Sequence, residues 1–382
     1  MKKKLNIPNV ITCIAFFAIL LAFPIITAFL PKESFSQTEN RTLQSMPKIS
    51  SKSVMDRSFM NKLETFVSDH FAGRTGWIKA KNSMEIALGK YEQNGVYVLD
   101  RRIVEKIDEP DYDSVDKSIA AVNKFAEENN MPVFFMLVPT SAEIYADEIP
   151  ENAPSLNQKE FIRYVYDGLG KSVTPMDAYS VMISNREKYI YYRTDHHWTT
   201  QGAYLVYSAA GKKMGYTPYG SNMYDIEHAS NSFRGTFYSK ALYDKTPPDT
   251  IDIYHCNADR GDVEVLITSE FGKEPESYDS MYFREYLDVK DKYSTFLGTN
   301  QPIVTIKSNN DGGKLLIIKD SYAHCYAPFL TSHYSEITLV DLRYIQISYK
   351  QLIDPKDYDQ VLFLYNVSSF ASDINLRKLA YD

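Results

Sequence analysis

Apolar positions fall along the chain in three patterns. The first is a run over residues 10–30, interrupted only by Thr12, Pro24 and Thr27 and free of charged side chains. At about 1.5 Å of rise per residue, a helix of that length just crosses the hydrocarbon core of a bilayer. The second pattern is the spacing of amphipathic helices. Phe59, Leu63, Phe66 and Val67, followed by Trp77 and Ile78, predict helix within 59–88, and Ile119, Val122 and Phe125 predict one over 115–130. Further helices are predicted over 161–169 and 200–214. The third pattern is the short apolar run of a strand buried on both faces, at 132–138, 315–318, 337–340 and 361–364, with strand signals also at 95–99 and in the tyrosine-rich stretch 188–192. Strands separated by helical segments predict βαβ units and a mostly parallel sheet, an α/β class. Between about 224 and 300 the rhythm breaks into short β-like pieces, at 251–254 and 263–267, which predicts an inserted β-containing region. Residues 31–55, with Pro31, Pro47 and several serines, read as a linker.

The flank of the first run sets its orientation. Lys2, Lys3 and Lys4 precede it, and positive charge keeps that side cytoplasmic. The expected order is a cytoplasmic N-terminus at 1–9, a single transmembrane signal anchor at 10–30, the linker at 31–55 and one domain at 56–382 outside the cytoplasm. The stretch Ile26-Thr27-Ala28-Phe29-Leu30 is bulky where a small-x-small cleavage site would stand, so an uncleaved anchor is the first reading and a cleaved signal peptide the second. A soluble buried helix is the remaining alternative.

Charge narrows the partners. The chain carries 42 Lys and Arg against 49 Asp and Glu, and the three N-terminal lysines sit in the acid-free first segment. The remaining body is more acidic still, which argues against a general nucleic-acid binder, since that needs a basic face. Three cysteines in 382 residues exclude a disulfide scaffold. Cys256 and Cys325 would lie in an oxidising compartment, where pairing is open to them. The 30 tyrosines suit a sugar-binding surface and suit ordinary packing equally.

Ligands of parallel sheets bind beyond the carboxyl ends of the strands, so the residues there are the candidate chemistry. Strand 315–318 is followed by Lys319, Asp320 and Ser321. A serine at that turn is either a nucleophile, which needs a base, or a helix cap. Strand 188–192 is followed by Thr194-Asp195-His196-His197-Trp198-Thr199. Asp195 and His197, two apart, can face one target if the segment is extended, leaving His196 pointing elsewhere. They fit the acid and base of a hydrolytic triad, they could ligate a metal, or they simply cap a strand end. Strand 361–364 leads to Tyr365 and Asn366, an amide able to donate to an oxyanion. Strand 337–340 leads to Asp341, Leu342, Arg343 and Tyr344, where Arg343 could hold an anionic group.

These motifs together resemble the bacterial DHHW family, which is similar to the SGNH-type alginate O-acetyltransferases AlgX and AlgJ. Thr194-Asp195-His196-His197-Trp198-Thr199 matches the family signature. Glu39-Asn40-Arg41-Thr42-Leu43, Val138-Pro139-Thr140-Ser141 through Tyr145, Phe233-Arg234-Gly235-Thr236-Phe237-Tyr238-Ser239-Lys240, Lys319-Asp320-Ser321-Tyr322 and Asp341-Leu342-Arg343-Tyr344 resemble its other blocks. The resemblance covers most of the chain after the anchor. It implies an SGNH-hydrolase-like, flavodoxin-like sheet with permuted motif order, the Asp/His pair preceding the serine. It implies Ser321 as nucleophile, His197 as base, Asp195 as orienting acid, and the Ser321 N–H with Asn366 as oxyanion donors. Trp198, Tyr322, Arg343, Tyr344 and Tyr365 are the expected substrate contacts. The sequence departs from ordinary SGNH hydrolases in having Lys319 where Gly precedes Asp-Ser, and Leu364-Tyr365-Asn366-Val367 in place of Gly-x-Asn-Asp. The implied activity is acetylation of a cell-surface or secreted polysaccharide, with acetyl groups delivered by a polytopic membrane O-acyltransferase and with no metal or tightly bound cofactor. A carbohydrate acetylesterase and a non-catalytic glycan-binding or assembly protein are the alternatives.

Overall fold

The computed structural model describes residues 7–258 and 262–381; Lys2, Lys3 and Lys4 lie outside that range. The chain forms two compact units. One comprises the described residues up to Tyr91 with Ser239–Asp244, and the other runs from Glu92 to Tyr238 and from Lys245 onward.

In the first unit the long apolar run is helix α1 (Ile7–Phe29), and among the described residues it alone is long and apolar enough to cross a membrane. The region expected as one helical stretch splits into α2 (Ser58–Asp69) and α3 (Arg74–Ala87). The break falls at Gly73, whose φ of +69° is left-handed and open to glycine without steric cost. The corner it creates packs on α1. Phe71 stacks on Phe23 with ring centroids 5.4 Å apart, Trp77 meets Phe23 edge-on at 5.8 Å, and the Ala72 N–H donates to Thr27 Oγ1. The Glu39-Asn40-Arg41 motif ties the linker to these helices. Arg41 donates to Glu39 (2.9 Å) and to Asp69 (2.5 Å), Arg74 also pairs with Glu39, and Asp69 accepts from the Gln44 N–H.

The second unit is built on an eight-stranded sheet. After helix α4 (Tyr112–Asn129) come β1 (Val133–Val138), α5 (Gln158–Asp167), β2 (Val173–Met176) and α6 (Thr200–Met214). Strands β3 (Tyr224–Phe233) and β4 (Asp249–Cys256) pair only with each other. Then follow β5 (Glu264–Thr268), β6 (Glu276–Tyr278), β7 (Ile303–Lys307), β8 (Lys314–Lys319), α7 (Ala323–Leu330), β9 (Glu336–Val340), β10 (Gln360–Asn366) and α8 (Val367–Ser372). The sheet order is β6-β5-β7-β9-β8-β10-β1-β2. From β9 to β2 all pairs are parallel; β7, β5 and β6 extend the β9 edge antiparallel.

Strands β1, β8 and β10 carry unbroken apolar runs because both their faces are covered. One face holds Met136, Ile317 and Leu364 with α6 and α7; the other holds Phe135, Ile318 and Phe363 with α4. The inserted region therefore divides: β3 and β4 form their own ribbon, while β5 and β6 join the main sheet. Strand is absent from 188–192. Only an isolated bridge, Tyr191 to Trp198, forms there, because these tyrosines turn into the core as a loop. Strands β2 and β7 were not expected from the sequence. Cys256 and Cys325 are free thiols.

Candidate active site

Two loops carry the candidate residues. The first leaves the carboxyl end of β8, the central strand flanked on both sides by parallel partners. Asp320 there is fully buried and, among the described residues, pairs with no cation; N–H groups satisfy it instead. Its Oδ1 accepts from the Tyr322 N–H (2.8 Å), and its Oδ2 from the Asn366 backbone N–H (2.7 Å) and amide (2.6 Å). These bonds lock the end of β8 to the end of β10 and present Ser321 just before α7.

The second loop spans 190–199. Buried Asp249 on β4 organises it, accepting from the Arg193 N–H (2.7 Å), the Thr194 N–H (2.8 Å), the Thr194 hydroxyl (2.5 Å) and the Tyr189 hydroxyl (2.6 Å). Two cross-braces fasten this loop to the first. Trp198 Nε1 donates to the Tyr322 carbonyl (3.0 Å), and the Tyr322 hydroxyl donates to the His196 carbonyl (2.5 Å).

The braces bring together Ser321, His197 and Asp195. His197 Nε2 lies 2.7 Å from Ser321 Oγ, and His197 Nδ1 lies 2.6 Å from Asp195 Oδ1. A carboxylate opposite Nδ1 requires a donor there, which leaves Nε2 as the acceptor of the serine proton. Asp195 and His197 are not extended neighbours. Asp195 Oδ1 also accepts the His197 backbone N–H at 3.1 Å, an Asx-type turn that folds the pair onto itself. The second carboxylate oxygen accepts from the Thr236 N–H (2.8 Å) and hydroxyl (3.0 Å). The Tyr293 ring stacks on the imidazole at 3.5 Å between centroids, and its hydroxyl donates to the Ser321 carbonyl (3.0 Å). His196 does not point away from this carboxylate. Its Nδ1 lies 3.5 Å from Asp195 Oδ1 and 2.9 Å from Thr236 Oγ1.

The electrostatics suit a base. Burial, with the neighbouring His196 adding to it, pulls His197 down to about 4 against the pull of Asp195, so the ring is neutral near pH 7. Burial works against charge on Asp195 too, yet His196 and His197 hold it well below the usual carboxylate range. Asp195, His196 and His197 also bring one ligand atom each within 4.8 Å of one another, as a partial metal site would. A metal on His197 Nδ1 would displace the bond to Asp195, and Nε2 already faces Ser321; the contacts present run in series from Ser321 through His197 to Asp195.

The expected substrate contacts separate into two groups. Trp198, Tyr322 and Tyr365 are buried, their rings packed into the core and out of reach of a polymer; Trp198 and Tyr322 brace the two loops. Tyr344 is 45% exposed, and Arg343, partly exposed, holds Asp341 with a two-pronged fork at 2.8 and 2.6 Å. Asn366 departs from expectation as well. Its amide donates to Asp320 and to Ser369 Oγ (2.9 Å), so as arranged it has no N–H left for an oxyanion; it caps α8 and anchors Asp320.

Sequence reasoning missed Lys319. It is fully buried beneath the serine loop, with Nζ 2.7 Å from His324 Nε2 and 3.5 Å from Asp341 Oδ2. Burial lowers it to about 8 despite Asp341. A lysine closing an apolar strand was the available signal, since such a side chain is rarely buried without a partner. Asp249, Asp320 as an anchor, and Gly235 were missed too.

A Cβ on Gly235 would stand 2.2 Å from Asp195 Oδ2. Gly235→Ala is therefore expected to push the carboxylate out of line without removing any reacting group. The loss should approach the roughly 10⁴-fold seen when the triad carboxylate no longer holds its histidine. Steady-state kcat with far-UV circular dichroism as a folding control checks this.

The DHHW protein family profile matches residues 92–340, which is more than half of the chain. The chain belongs to the DHHW family. Among solved structures, a DHHW family protein from Eubacterium siraeum is 27% identical, with a TM-score of 0.66 over 76% of this chain and 96% of that one. Bacillus cereus PatB1 is 21% identical at a TM-score of 0.63, over 73% of this chain and 98% of that one; a second PatB1 structure, carrying a sulfonyl adduct, is matched at 18% and 0.62. The O-acetyltransferase domain of Pseudomonas putida AlgJ is 12% identical, with a TM-score of 0.46 over 75% of this chain and 99% of that one. No curated protein matches the chain. The fold of this DHHW protein, an α/β sheet, is shared with the Eubacterium siraeum DHHW protein and with PatB1.

The titration of this DHHW protein follows from its histidines. With His197 as the base, activity is expected to hold from pH 7 downward and to fall as pH drops through about 4. Burial also lowers His333 to about 4 and His324 well below its ordinary value of 6.5. At His197, His324 and His333 the unfolded chain binds protons between pH 6.5 and about 4 that the folded rings refuse, so these three lower the unfolding free energy as pH falls, against the opposing pull of His196, which despite burial its Asp195 partner raises. Proton titration of the imidazoles by NMR in the folded protein measures it; His324 or His333 protonating near 6.5 contradicts the burial of these rings.

Proposed function

We propose that this DHHW protein is a membrane-anchored, extracytoplasmic O-acetyltransferase that modifies a cell-surface or secreted polysaccharide through an acetyl-serine. The Ser321–His197–Asp195 relay is the observation that carries this reading. Ser321 Oγ attacks the carbonyl carbon of an acetyl donor while His197 Nε2 takes the hydroxyl proton. The Ser321 N–H, ahead of the start of α7, faces the developing oxyanion. The tetrahedral intermediate collapses, the donor's leaving group departs with the proton from His197, and an acetyl-serine ester remains. A sugar hydroxyl then gives its proton to His197 and attacks the ester carbonyl; Ser321 Oγ leaves and regains the proton.

Asp195 holds the tautomer in both halves. Arg343 and Tyr344 are the partly exposed members of the expected binding set. A cleft of about 250 Å³, whose lining includes Arg102 paired with Glu148, Arg186 paired with Asp147, and Tyr145, shares Tyr191 and Arg193 with the relay loop and offers the acceptor polymer a polar seat. Helix α1 supplies the lipid anchor, and the acetyl donor system is a polytopic membrane O-acyltransferase.

The test uses purified protein, p-nitrophenyl acetate and a panel of short glycans, with free acetate and acetylated glycan both quantified. Acetyl-glycan formed by wild type and lost in Ser321→Ala supports the transferase. Serine-dependent acetate with no acetyl-glycan across the panel moves the assignment to an acetylesterase. Turnover untouched by Ser321→Ala and His197→Ala overturns the relay.

A further inference from the structure

We propose that the helical corner formed by α2 and α3 is itself a membrane-surface element, seated in the headgroup region of an anionic lipid bilayer. The inference rests on the reading of α1 as a membrane span and adds a second lipid contact to it.

The first observation is where the corner sits on α1. Its contacts are with Phe23 and Thr27, which belong to the apolar span and precede its end at Phe29. From Phe23 to Phe29 is about 9 Å of helix rise. A helix lying in a bilayer interface buries its apolar face about 5–10 Å into the headgroup and acyl boundary. With α1 inserted, Phe71 and Trp77 are held at that depth.

The second observation is the surface the corner presents. On α3 the exposed large apolar residues are Trp77 (56% exposed), Met84 (61%) and, at the cap, Leu88 (79%). Spacings of seven and eleven residues place them within about 20° of one helix face. On α2, Met60 and Val67 are exposed and again seven apart. A soluble helix turns such residues inward, and tryptophan at the end of an apolar span is the usual interfacial anchor. Lys81, 60% exposed on the border of the α3 stripe and paired with Glu85 at 3.2 Å, has the length to keep its ammonium at the level of the headgroups while its stem covers apolar surface.

The third observation is charge. Residues 31–91 carry ten Lys and Arg against six Asp and Glu, while residues 92–382 carry 29 against 43. The acidic balance of the whole chain conceals a cationic segment, and it is the segment attached to the span. Cationic residues beside a membrane anchor bind anionic lipid headgroups. A docked protein partner would account for the apolar stripe but not for its depth on α1.

The chain has two tryptophans, and Trp198 is buried in the other unit, so subtracting the emission of Trp77→Phe from that of wild type isolates Trp77. Full-length protein is reconstituted in phosphatidylcholine vesicles with and without phosphatidylglycerol, and its retention through alkaline carbonate flotation is recorded first. Brominated acyl chains are expected to quench most of the Trp77 emission, aqueous iodide is expected to quench little, and shielding should be stronger with phosphatidylglycerol. In a Trp77→Phe background, Leu88→Trp should be quenched in the same way, extending the contact along α3. Protein that does not float overturns the span reading. Protein that floats while Trp77 or Leu88→Trp is open to iodide overturns this inference alone. Shielding from both quenchers would mean a protein cover and overturns it too, and shielding independent of phosphatidylglycerol overturns the anionic preference.

Discussion

Replacing Ser321 with alanine is expected to remove acyl transfer almost entirely, by roughly six orders of magnitude in kcat, the loss found when a nucleophile that works as a unit with its base is deleted. The expectation follows from the 2.7 Å contact between Ser321 Oγ and His197 Nε2 and the 2.6 Å contact behind it, which leave the serine proton one destination. His197→Ala should cost about as much, and the double variant little more than either alone, because each removes the same proton path. The measurement is kcat for p-nitrophenyl acetate, paired with labelling by a sulfonyl fluoride. In wild type, Ser321 Oγ displaces fluoride from sulfur and its proton passes to His197. Intact-mass spectrometry should show one sulfonyl group on wild type and none on Ser321→Ala. Labelling that persists in Ser321→Ala would place the nucleophile elsewhere.

Asp320→Ala should cause the largest loss of stability in the serine loop, about 3–5 kcal/mol. The carboxylate is the acceptor for three buried N–H groups, those of Tyr322 and Asn366 and the Asn366 amide. An alanine offers none, and each orphaned donor inside a core costs about 1–3 kcal/mol. The same bonds join β8 to β10, so Ser321 should lose its register with His197 as well. Denaturant unfolding reads the stability, and sulfonyl labelling rate in the folded protein reads the register. A variant as stable as wild type would mean that the loop is held by the Trp198 and Tyr322 cross-braces alone. Asp320→Asn is the sharper control: it keeps the volume but turns an NH₂ toward donors, so it should recover little.

Much of the sheet could be read before any coordinates. Strands β1, β8, β9 and β10 are central, and burial on both faces writes itself as a continuous apolar run, so their limits came within a residue or two of expectation. Helix α6 was expected at its observed bounds, with Thr199 capping it and Gly215 closing it. Strands β2 and β7 were not legible. β2 is a four-residue edge strand with a proline and two exposed positions between buried ends, and β7 takes part through antiparallel pairing with distant segments. The tyrosines at 189, 191 and 192 have strand propensity, but their rings pack in a loop, and packing outweighs local preference.

The sequence by itself determined the apolar span, the alternation that makes a parallel sheet, and the residue types of the relay, because these depend on patterns within a few residues of one another. Only the tertiary structure decided that Asp195 and His197 meet through a turn rather than along a strand. It alone showed that Asn366 and Trp198 serve as braces, that Gly235 must lack a side chain, and that Asp249, Lys319 and Asp320 hold the two loops in place. Most of those roles are set by what lies across a gap of tens to more than a hundred residues, and a buried polar atom reveals its partner only when the chain has brought the two together.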